Sequence, residues 1–285
     1  MEDPIDAIIR EEQLPAGYRT VVERHWVPLA TAIARRAAGN TPLIVGINGA
    51  QGSGKSTLCR FLEVLLSRRR LRAVTLSLDD LYLTKAERTD LADKVHPLFA
   101  TRGVPGTHAP GMGLDIIEAV LAGRGFTLPR FDKARDDRTP AGVMVGGPVD
   151  ILLLEGWFVG AVPQADEALV MPANTFEAEE DADGTWRRLV NRWLGAGYAD
   201  LFAQIDLLVM LKVGGFDAVR RNRALQEDKL RARDPAAPGL MDQAALTRFL
   251  DQYERLTLHM LEQMPARADI VIPIDERQNP SAPAT

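Results

Sequence analysis

Short apolar runs alternate with segments of helical periodicity along most of the 285-residue chain. The runs show little polar alternation, which is typical of strands buried on both faces of a parallel sheet. We predict strands at residues 42–47, 73–78, 149–154, 205–211 and 270–274. Because helical segments separate them, the chain is expected to form an α/β fold of three layers, with a five-stranded, mainly parallel sheet in the middle.

The two ends of the chain are predicted to lie outside this sheet. Residues 1–38 form a helical N-terminal extension in this interpretation, with an apolar stripe at Val22, Trp26, Leu29 and Ile33. Pro28 should kink or split the extension, and we expect it to pack against the edge of the sheet. Residues 277–285 are polar and contain two prolines, which predicts a flexible tail.

The segment after the first predicted strand fits the phosphate-binding pattern G-x-x-x-x-G-K-[ST] and leads into a helical repeat. Glycines let successive backbone N–H groups point at phosphate oxygens, and the helix N-terminus adds the positive end of its dipole. Lys55 is expected to reach the β- and γ-phosphates, and Ser56 to ligate Mg²⁺. The predicted nucleotide-binding residues are Gly49, Ala50, Gln51, Gly52, Ser53, Gly54, Lys55, Ser56 and Thr57.

Composition and charge narrow the possible partners and the compartment. A net charge of −5 is the opposite of the basic footprint that nucleic-acid binding requires. The single Cys59 excludes an internal disulfide and fits a reducing compartment. The sequence has no apolar stretch of membrane-spanning length and opens with Met-Glu-Asp-Pro rather than a secretory signal pattern. We therefore expect a cytoplasmic protein without nucleic-acid or membrane partners.

Three classes of phosphate-loop protein compete for this chain. A GTPase needs the guanine-reading N-K-x-D, and the sequence contains no Asn-Lys pair. The L-S-G-G-Q-like signature of transporter ATPases is also absent from the sequence. A small-molecule kinase needs an acidic residue at the end of a neighbouring strand and a mobile cationic lid. Candidates for both are present, which favours the kinase.

Carboxylates follow two of the predicted strands directly. Asp79 and Asp80 come after the second strand, and Glu155 ends the third. Ligands bind at the carboxyl ends of the strands in doubly wound sheets, so these side chains should face the phosphates. Asp79 is the candidate for orienting an acceptor hydroxyl and taking its proton, with the alternative that Asp80 merely caps a helix. Glu155 occupies the position of an acid that holds Mg²⁺ through water.

Three charged segments remain open to interpretation. Residues 84–147, rich in Gly, Pro, Arg and Asp, are a long insert that is expected to be functional. On an arginine-dense helix, Arg220 and Arg223 share a face and could serve as the lid cations. The alternative is a solvated helix whose arginines pair with its own acids. The acidic run 177–184 is predicted to be an exposed turn.

Several separate blocks resemble the D-glycerate 3-kinases of plants, fungi and their bacterial relatives, within the group that contains uridine kinase, phosphoribulokinase and pantothenate kinase. Residues 77–83 resemble the family's S-x-D-D-F-Y-L. Similar matches to R-G-x-P-G-T-H-D, P-R-[FY]-[DN]-K-[SA], D-R-x-P and E-G-W-x-x-G lie at residues 102–109, 129–134, 137–140 and 155–160. Near the lid, Arg223 and Gln226-Glu227 follow the family's W-R-x-x-Q-E. The chain departs from the pattern at Leu81 for Phe, Ala109 for Asp and Asn222 for Trp.

The resemblance implies an ATP- and Mg²⁺-dependent kinase that phosphorylates the primary hydroxyl of D-glycerate to give 3-phosphoglycerate. It implies a P-loop kinase domain at residues 39–276, with a substrate-binding insert at 84–147 and a lid region at 216–240. Catalytic roles fall to Asp79, Lys55 and a lid arginine, Arg220 or Arg223; Mg²⁺ falls to Ser56 and Glu155. The implied substrate-binding residues are Asp79, Tyr82, Arg102, His108, Lys133 and Arg138. The alternatives are a kinase for a nucleoside or a pantothenate-like acid, and a regulatory ATP-binding protein.

Overall fold

The computed structural model describes residues 2–39, 42–233 and 240–281. The strands are β1 (Leu43–Gly49), β2 (Ala73–Ser77), β3 (Phe126–Leu128), β4 (Phe131–Asp132), β5 (Asp137–Arg138), β6 (Val143–Val145), β7 (Ile151–Gly156), β8 (Leu207–Val213) and β9 (Ile270–Ile274). The α-helices are α1 (Pro4–Glu11), α2 (Tyr18–Val21), α3 (Val27–Ala37), α4 (Lys55–Ser67), α5 (Lys85–Lys94), α6 (Pro110–Leu121), α7 (Thr175–Glu180), α8 (Thr185–Leu194), α9 (Gly197–Phe202), α10 (Phe216–Arg233) and α11 (Gln243–Gln263).

The central sheet has five strands in the order β2-β7-β1-β8-β9, and every neighbouring pair is parallel. Both β1 and β7 are buried along their whole length, as their uninterrupted apolar runs require. The predicted α/β fold with its five-stranded sheet is confirmed. Two predicted strands begin later than expected, because Asp150 and Asp206 turn their carboxylates onto backbone N–H groups of Arg72 and Ile44 at 2.7 and 2.8 Å.

The register brings three strand ends to one edge of the sheet. Ser77 of β2 lies opposite Glu155 of β7, and Glu155 lies opposite Ile47 of β1. Asn48 then donates to the carbonyls of Trp157 and Val159 at 3.2 and 2.9 Å, which ties the segment after β7 to β1. The candidate carboxylates and the phosphate loop therefore meet at the carboxyl edge, where open α/β sheets bind ligands.

The N-terminal extension is helical as predicted but packs on α4 rather than on the edge of the sheet. A π-helical stretch, Val22–Trp26, joins α2 to α3, and Pro28 lies in the first turn of α3. The contacts to α4 are ionic and aromatic: Glu12 accepts from Arg60 at 2.5 Å, and Tyr18 stacks on Phe61 at 5.8 Å. Arg60 and Phe61 supply this docking surface one turn after the phosphate loop, which is why the extension lies there.

The insert is folded into helices and two small hairpins. The antiparallel pairs are β3 with β6 and β4 with β5, and α5 and α6 belong to the same segment. Ala109 is the N-cap residue of α6 and its side chain makes no capping hydrogen bond, so the helix lacks the cap that an aspartate would provide at this position.

The acidic run at 177–184 is not the exposed turn that the sequence predicts. It begins in α7, and two of its carboxylates are buried in ion pairs: Glu177 with Arg255 at 2.6 Å and Asp181 with Arg187 at 2.9 Å. Both arginines come from other helices, and a buried carboxylate needs such a partner. Glu177 and Asp181 are therefore buried, while residues 178–180, 182 and 183 remain exposed.

The described part of the predicted tail also differs from the expectation. Pro280 forms a bridge with Ile274, and the N–H of Ser281 donates to the carbonyl of Pro273 at 2.9 Å, so residues 277–281 fold back along β9. Residues 282–285 of the predicted tail and 234–239 of the predicted lid lie outside the described residues. Among the helices of the described ranges, none has the length and apolar composition needed to cross a membrane.

Candidate active site

The phosphate loop connects β1 to α4 and has the backbone conformation that its glycines allow. Gly52 has φ +74°, and a Cβ there would lie 2.6 Å from the Cβ of Asn222 on α10. Glycine is therefore required both by the dihedral angle and by the close approach of α10. Lys55 extends over the loop, and its Nζ donates to the carbonyl of Ala50 at 3.1 Å.

A hydroxyl and a carboxylate meet beside the loop at the position expected for a cation. The Oγ of Ser56 donates to Oε1 of Glu155 at 3.0 Å, and Glu155 is buried. Mg²⁺ prefers hard oxygen ligands and is commonly held by one or two protein groups together with phosphate oxygens and water. The donors present fit such an ion.

The two adjacent aspartates after β2 have different surroundings. Asp80 accepts from Nη1 of Arg130 at 2.7 Å and from the N–H of Phe131 at 3.0 Å, so it anchors the β4–β5 hairpin. That anchor places Lys133, between the two strands of the hairpin, with its Nζ 2.6 Å from Oδ2 of Asp79. Asp80 is therefore structural in this arrangement, and Asp79 faces the phosphate loop.

The charges around Asp79 keep it ionised. Burial alone would raise the pKa of Asp79, but the neighbouring Lys133 and Lys55 outweigh it and the pKa lies below its ordinary value. Asp79 in turn raises the pKa of Lys133. Burial lowers the pKa of Lys55, while the nearby carboxylates of Glu155 and Asp79 oppose that shift. A carboxylate with a lowered pKa is a weak base, which suits a group that orients a hydroxyl and takes its proton late.

These groups line one cavity of about 360 Å³ at the carboxyl edge of the sheet. This volume fits a small ligand beside nucleotide phosphates. From the predicted set it brings together Gln51, Gly52, Lys55, Ser56, Asp79, Tyr82, Arg102, Lys133, Glu155 and Arg223. The cavity is thus lined by the carboxylates of Asp79 and Glu155. Its cations come from the phosphate loop, the insert and α10.

The turn after Arg102 is shaped by aromatic side chains. Gly103 has φ +141°, and a Cβ there would lie 2.0 Å from the Oη of Tyr253. The same hydroxyl donates to the carbonyl of Arg102 at 3.3 Å, and Nε1 of Trp157 donates to the carbonyl of Gly103 at 2.9 Å. Arg102 is thereby directed into the cavity, where its guanidinium pairs with Asp136.

His108 is buried behind Tyr82 and is not among the residues that line this cavity. Its ring stacks on Tyr82 at 4.2 Å, and its Nδ1 lies 3.0 Å from the Oη of Tyr198. That oxygen already accepts the N–H groups of Gly106 and His108 at 2.8 and 3.3 Å, so its proton is donated to Nδ1. The proton of the imidazole therefore resides on Nε2, which has no hydrogen-bond partner among the described residues.

This burial predicts a specific effect of pH on stability. Burial lowers the pKa of His108 from 6.5 to about 3. Between those values the unfolded chain binds a proton that the folded chain does not, so the free energy of unfolding should fall as the pH is lowered, by up to about 1.4 kcal/mol per pH unit. Urea unfolding at pH 7, 6 and 5 checks this against His108→Gln, in which the carboxylates still titrate. Parallel pH dependences of wild type and variant would contradict the assignment.

The structure separates the two candidate lid arginines. Arg223 lines the cavity and forms an ion pair with Glu227 at 2.8 Å. Arg220 points to α11, where it pairs with Asp251 at 2.8 Å and Glu254 at 3.3 Å, and it does not line the cavity. Arg223 thus has the partner on its own helix that the solvated-helix alternative expects, but it also lines the cavity, whereas Arg220 does neither.

Arg138 also lies apart from the other predicted substrate residues. Its Nη2 donates to the carbonyl of Tyr82 at 2.7 Å, which fixes the strand β5 against the segment after β2. The cavity lining does not include it. Arg138 therefore holds the backbone at Tyr82 without lining the cavity. The cations of the insert that line the cavity are Arg102 and Lys133.

Five lining residues carried no functional prediction: Gly156, Trp157, Gln226, Phe249 and Tyr253. Phe249 and Tyr253 belong to the apolar stripe of α11, and periodicity assigns such a stripe to the core. Tyr253 is indeed 4% exposed, yet its edge also closes the cavity. Trp157 and Gln226 lie within blocks that resemble the kinase family, and that resemblance was the signal that could have found them.

Curated relatives of this chain are named as kinases. The uncharacterized kinase mug58 of Schizosaccharomyces pombe is 33% identical over 225 residues, which cover 74% of this chain and 78% of that protein. The chloroplastic D-glycerate 3-kinase of Arabidopsis thaliana is 29% identical over 258 residues, which cover 84% of this chain and 54% of that protein. The chain belongs to the same kinase family as mug58, and a D-glycerate 3-kinase is among its homologues. It is accordingly an ATP-dependent small-molecule kinase.

A solved structure agrees with the fold of this kinase. The D-glycerate 3-kinase from Cryptococcus neoformans superposes with a TM-score of 0.73 at 24% sequence identity, covering 92% of this chain and 99% of that one. No protein-family model matches the chain.

Proposed function

We propose that this kinase transfers the γ-phosphoryl group of ATP to the primary hydroxyl of D-glycerate. The observation that carries the proposal is the pairing of Asp79 with Lys133 at 2.6 Å in a cavity that continues to the phosphate loop. A carboxylate suits the hydroxyl of the acceptor, and cations beside it suit the acceptor's carboxylate. Glycerate has both groups on a three-carbon chain.

In this reaction the hydroxyl oxygen of glycerate forms a bond to the γ-phosphorus, and the bond from that phosphorus to the β-bridging oxygen breaks. The hydroxyl proton passes to Asp79 late in the transfer, because phosphoryl transfer is loose and depends mainly on positioning. The products are ADP and 3-phosphoglycerate. Lys55 and Arg223 face the charge that develops on the phosphoryl and leaving oxygens.

Two cations of the insert are proposed to bind the glycerate carboxylate. Lys133 supplies a point charge, and Arg102 supplies a guanidinium that can form a bidentate pair. Both already contact carboxylates of the protein, Asp79 and Asp136. The carboxylate of glycerate would therefore share these cations with Asp79 and Asp136.

Mg²⁺ is proposed to be held by Ser56 and Glu155, whose oxygens lie 3.0 Å apart. When bound, such an ion neutralises charge on the β- and γ-phosphate oxygens. Separate elements hold the groups that would surround the phosphates: Lys55 lies at the start of α4, and Glu155 lies in β7 near its end.

A substrate panel tests the proposed acceptor directly. ADP formation is measured with D-glycerate, glycerol, uridine and pantothenate under one ATP and Mg²⁺ condition. D-Glycerate should give the highest kcat/KM, and glycerol should be poor because it leaves the cations of the insert unpaired. A nucleoside or pantothenate that exceeds glycerate would overturn the substrate, while no acceptor-dependent ADP with any of them would favour a regulatory ATP-binding protein.

Removing the charge of Lys133 should weaken the binding of glycerate selectively. Lys133→Met is expected to raise KM for glycerate by about ten- to a hundredfold, the cost of one charged hydrogen bond, with little change in KM for ATP. Lys94→Met is the matched control, because Lys94 pairs with Asp90 on the exposed surface of α5. Steady-state kinetics in each substrate measures the split. An equal rise in both KM values would contradict the proposed contact.

A further inference from the structure

Asp136 is a carboxylate beside the active site that takes no part in the proposed phosphoryl transfer. It lies in the turn that joins β4 to β5 and bridges two arginines of the insert. Its Oδ2 accepts from Nη2 of Arg88 at 2.6 Å, and its Oδ1 accepts from Nη1 of Arg102. Arg102 lines the active-site cavity, whereas Arg88 and Asp136 do not. Asp136 can therefore influence a ligand in the cavity through Arg102.

Arg88 fixes one side of this bridge. Its side chain is 1% exposed and lies on α5. Besides the carboxylate, it donates to the carbonyls of Leu83 at 2.6 Å and of Asp136 itself at 2.9 Å. A buried guanidinium is stable only when it is paired, so Arg88 holds both the backbone and the side chain of Asp136. The carboxylate consequently has one oxygen that is firmly held and one that is directed to Arg102.

The backbone of Asp136 adopts a conformation that few side chains favour. Its φ is +55°, in the left-handed region, where glycine fits without steric cost. Residues other than glycine in this region cluster at functional sites, where neighbouring contacts impose the conformation. Oδ1 of Asp132 supplies such contacts in this turn, since it accepts the N–H groups of Ala134 and Arg135 at 2.9 and 3.1 Å. The left-handed conformation therefore points to a role for the Asp136 carboxylate.

The ring of Phe131 contacts both guanidinium groups. Its centroid lies 5.6 Å from Cζ of Arg88 and 5.4 Å from Cζ of Arg102. Both distances are within the range in which an aromatic face attracts a cation. Arg102 is thus held by a ring and by a carboxylate, which together define the direction of its guanidinium.

The charges of this cluster leave a cation for a ligand. Arg88 and Arg102 each carry a positive charge and Asp136 carries a negative one, so the cluster as a whole is cationic. Nη1 of Arg102 donates to Asp136, and a guanidinium has further N–H groups that remain for an anion in the cavity. Asp136 therefore orients Arg102 without cancelling the positive charge of the cluster.

We propose that Asp136 is a positioning residue, which holds the guanidinium of Arg102 in the orientation that binds the carboxylate of the acceptor. The inference rests on the proposed function, in that the acceptor is an anion and Arg102 contacts it. It assigns part of the selectivity for an anionic acceptor to a residue outside the cavity, with Arg88 as its anchor. The effect of Asp136 should accordingly appear only with acceptors that carry a carboxylate.

Asp136→Asn tests this by comparing a charged acceptor with a neutral one. Asparagine also tolerates left-handed backbone, so the variant removes the charge and keeps the turn. KM for D-glycerate should rise by about tenfold, the lower end of the cost of a charged hydrogen bond, while KM for ATP and kcat/KM for glycerol stay unchanged. Asp90→Asn is the matched control, because Asp90 pairs with Lys94 on the exposed surface of α5. A loss of the same size with glycerol would show a general distortion of the site and overturn the inference.

A double-mutant cycle with Arg102→Met decides whether Asp136 acts through Arg102. Asp136→Asn should raise KM for D-glycerate in the wild-type background and leave it unchanged in Arg102→Met. An equal effect in both backgrounds would overturn the inference and leave the proposed acceptor intact. A wild-type enzyme that does not phosphorylate D-glycerate would overturn the proposed function, and the inference with it.

Asp136→Gly provides a second variant in case Asp136→Asn does not fold. Glycine relieves the left-handed backbone and keeps the carbonyl that accepts from Arg88 at 2.9 Å. It should give the same selective rise in KM for D-glycerate, with thermal unfolding as the check on folding. A folded Asp136→Gly enzyme with the wild-type KM for D-glycerate would contradict the positioning role.

Discussion

Lys55→Ala should lower kcat by about 10³-fold while the protein remains folded, the scale observed when one group that stabilises transition-state charge is removed. The Nζ of Lys55 donates to the carbonyl of Ala50 at 3.1 Å and otherwise faces the cavity, so its loss removes little that holds the fold together. Burial lowers the pKa of Lys55, so truncating the side chain removes a desolvated charge from the interior.

The measurement combines kcat at saturating ATP and glycerate with the midpoint of thermal unfolding. Lys94→Ala provides a matched control, since that lysine lies on the exposed surface of α5 and pairs only with Asp90 in the described structure. A Lys55→Ala variant that kept nearly the wild-type kcat would show that the phosphate loop does not serve the reaction. A large loss of thermal stability would instead show that Lys55 is structural.

The sheet was predictable because its strands are buried on both faces. Such strands need uninterrupted apolar runs, and those runs stand out in the sequence. What the runs do not reveal is where pairing starts. Asp150 and Asp206 lie within or beside the apolar runs, and only the folded sheet shows that each carboxylate accepts a backbone N–H from a neighbouring segment.

Ion pairs between different helices account for the main errors in the sequence analysis. The acidic run at 177–184 looks like a solvated turn, since the sequence does not show that Glu177 and Asp181 turn inward onto arginines. Arg255 and Arg187 reach them from other helices, 78 and 6 residues away in the chain. A buried carboxylate is stable only when it is paired, and sequence spacing does not show which distant cation will supply the partner.

The same limit explains the two lid arginines. Spacing of i and i+3 predicts that Arg220 and Arg223 share one face of α10. One part of that face packs against α11, however, and another part borders the cavity. Asp251 and Glu254 of α11 hold Arg220, whereas Arg223 reaches the cavity. The candidate site was thus predictable at strand ends and in the phosphate loop, where backbone topology fixes the positions, and not along α10.

Asp79→Asn should lower kcat by about 10²-fold or more and leave the binding of ATP unchanged, because the amide can no longer accept the hydroxyl proton. Asp80→Asn is the adjacent comparison. It should reduce kcat less, since Asp80 accepts from Arg130 and Phe131 rather than facing the cavity. Its main effect should be a higher KM for glycerate, because the hairpin that positions Lys133 loses an ionic anchor.

The two variants alter adjacent residues and remove the same charge. The difference between their kcat values therefore reports the different surroundings of the two carboxylates. Rapid-quench measurement of a single turnover reports the chemical step, and nucleotide titration reports ATP affinity. Asp79 is paired with Lys133 at 2.6 Å, so its replacement also frees that cation, and glycerate should bind as well as before or better. A smaller kcat loss in Asp79→Asn than in Asp80→Asn would mean that Asp80 carries the chemistry and that the Asp79–Lys133 pair only shapes the cavity.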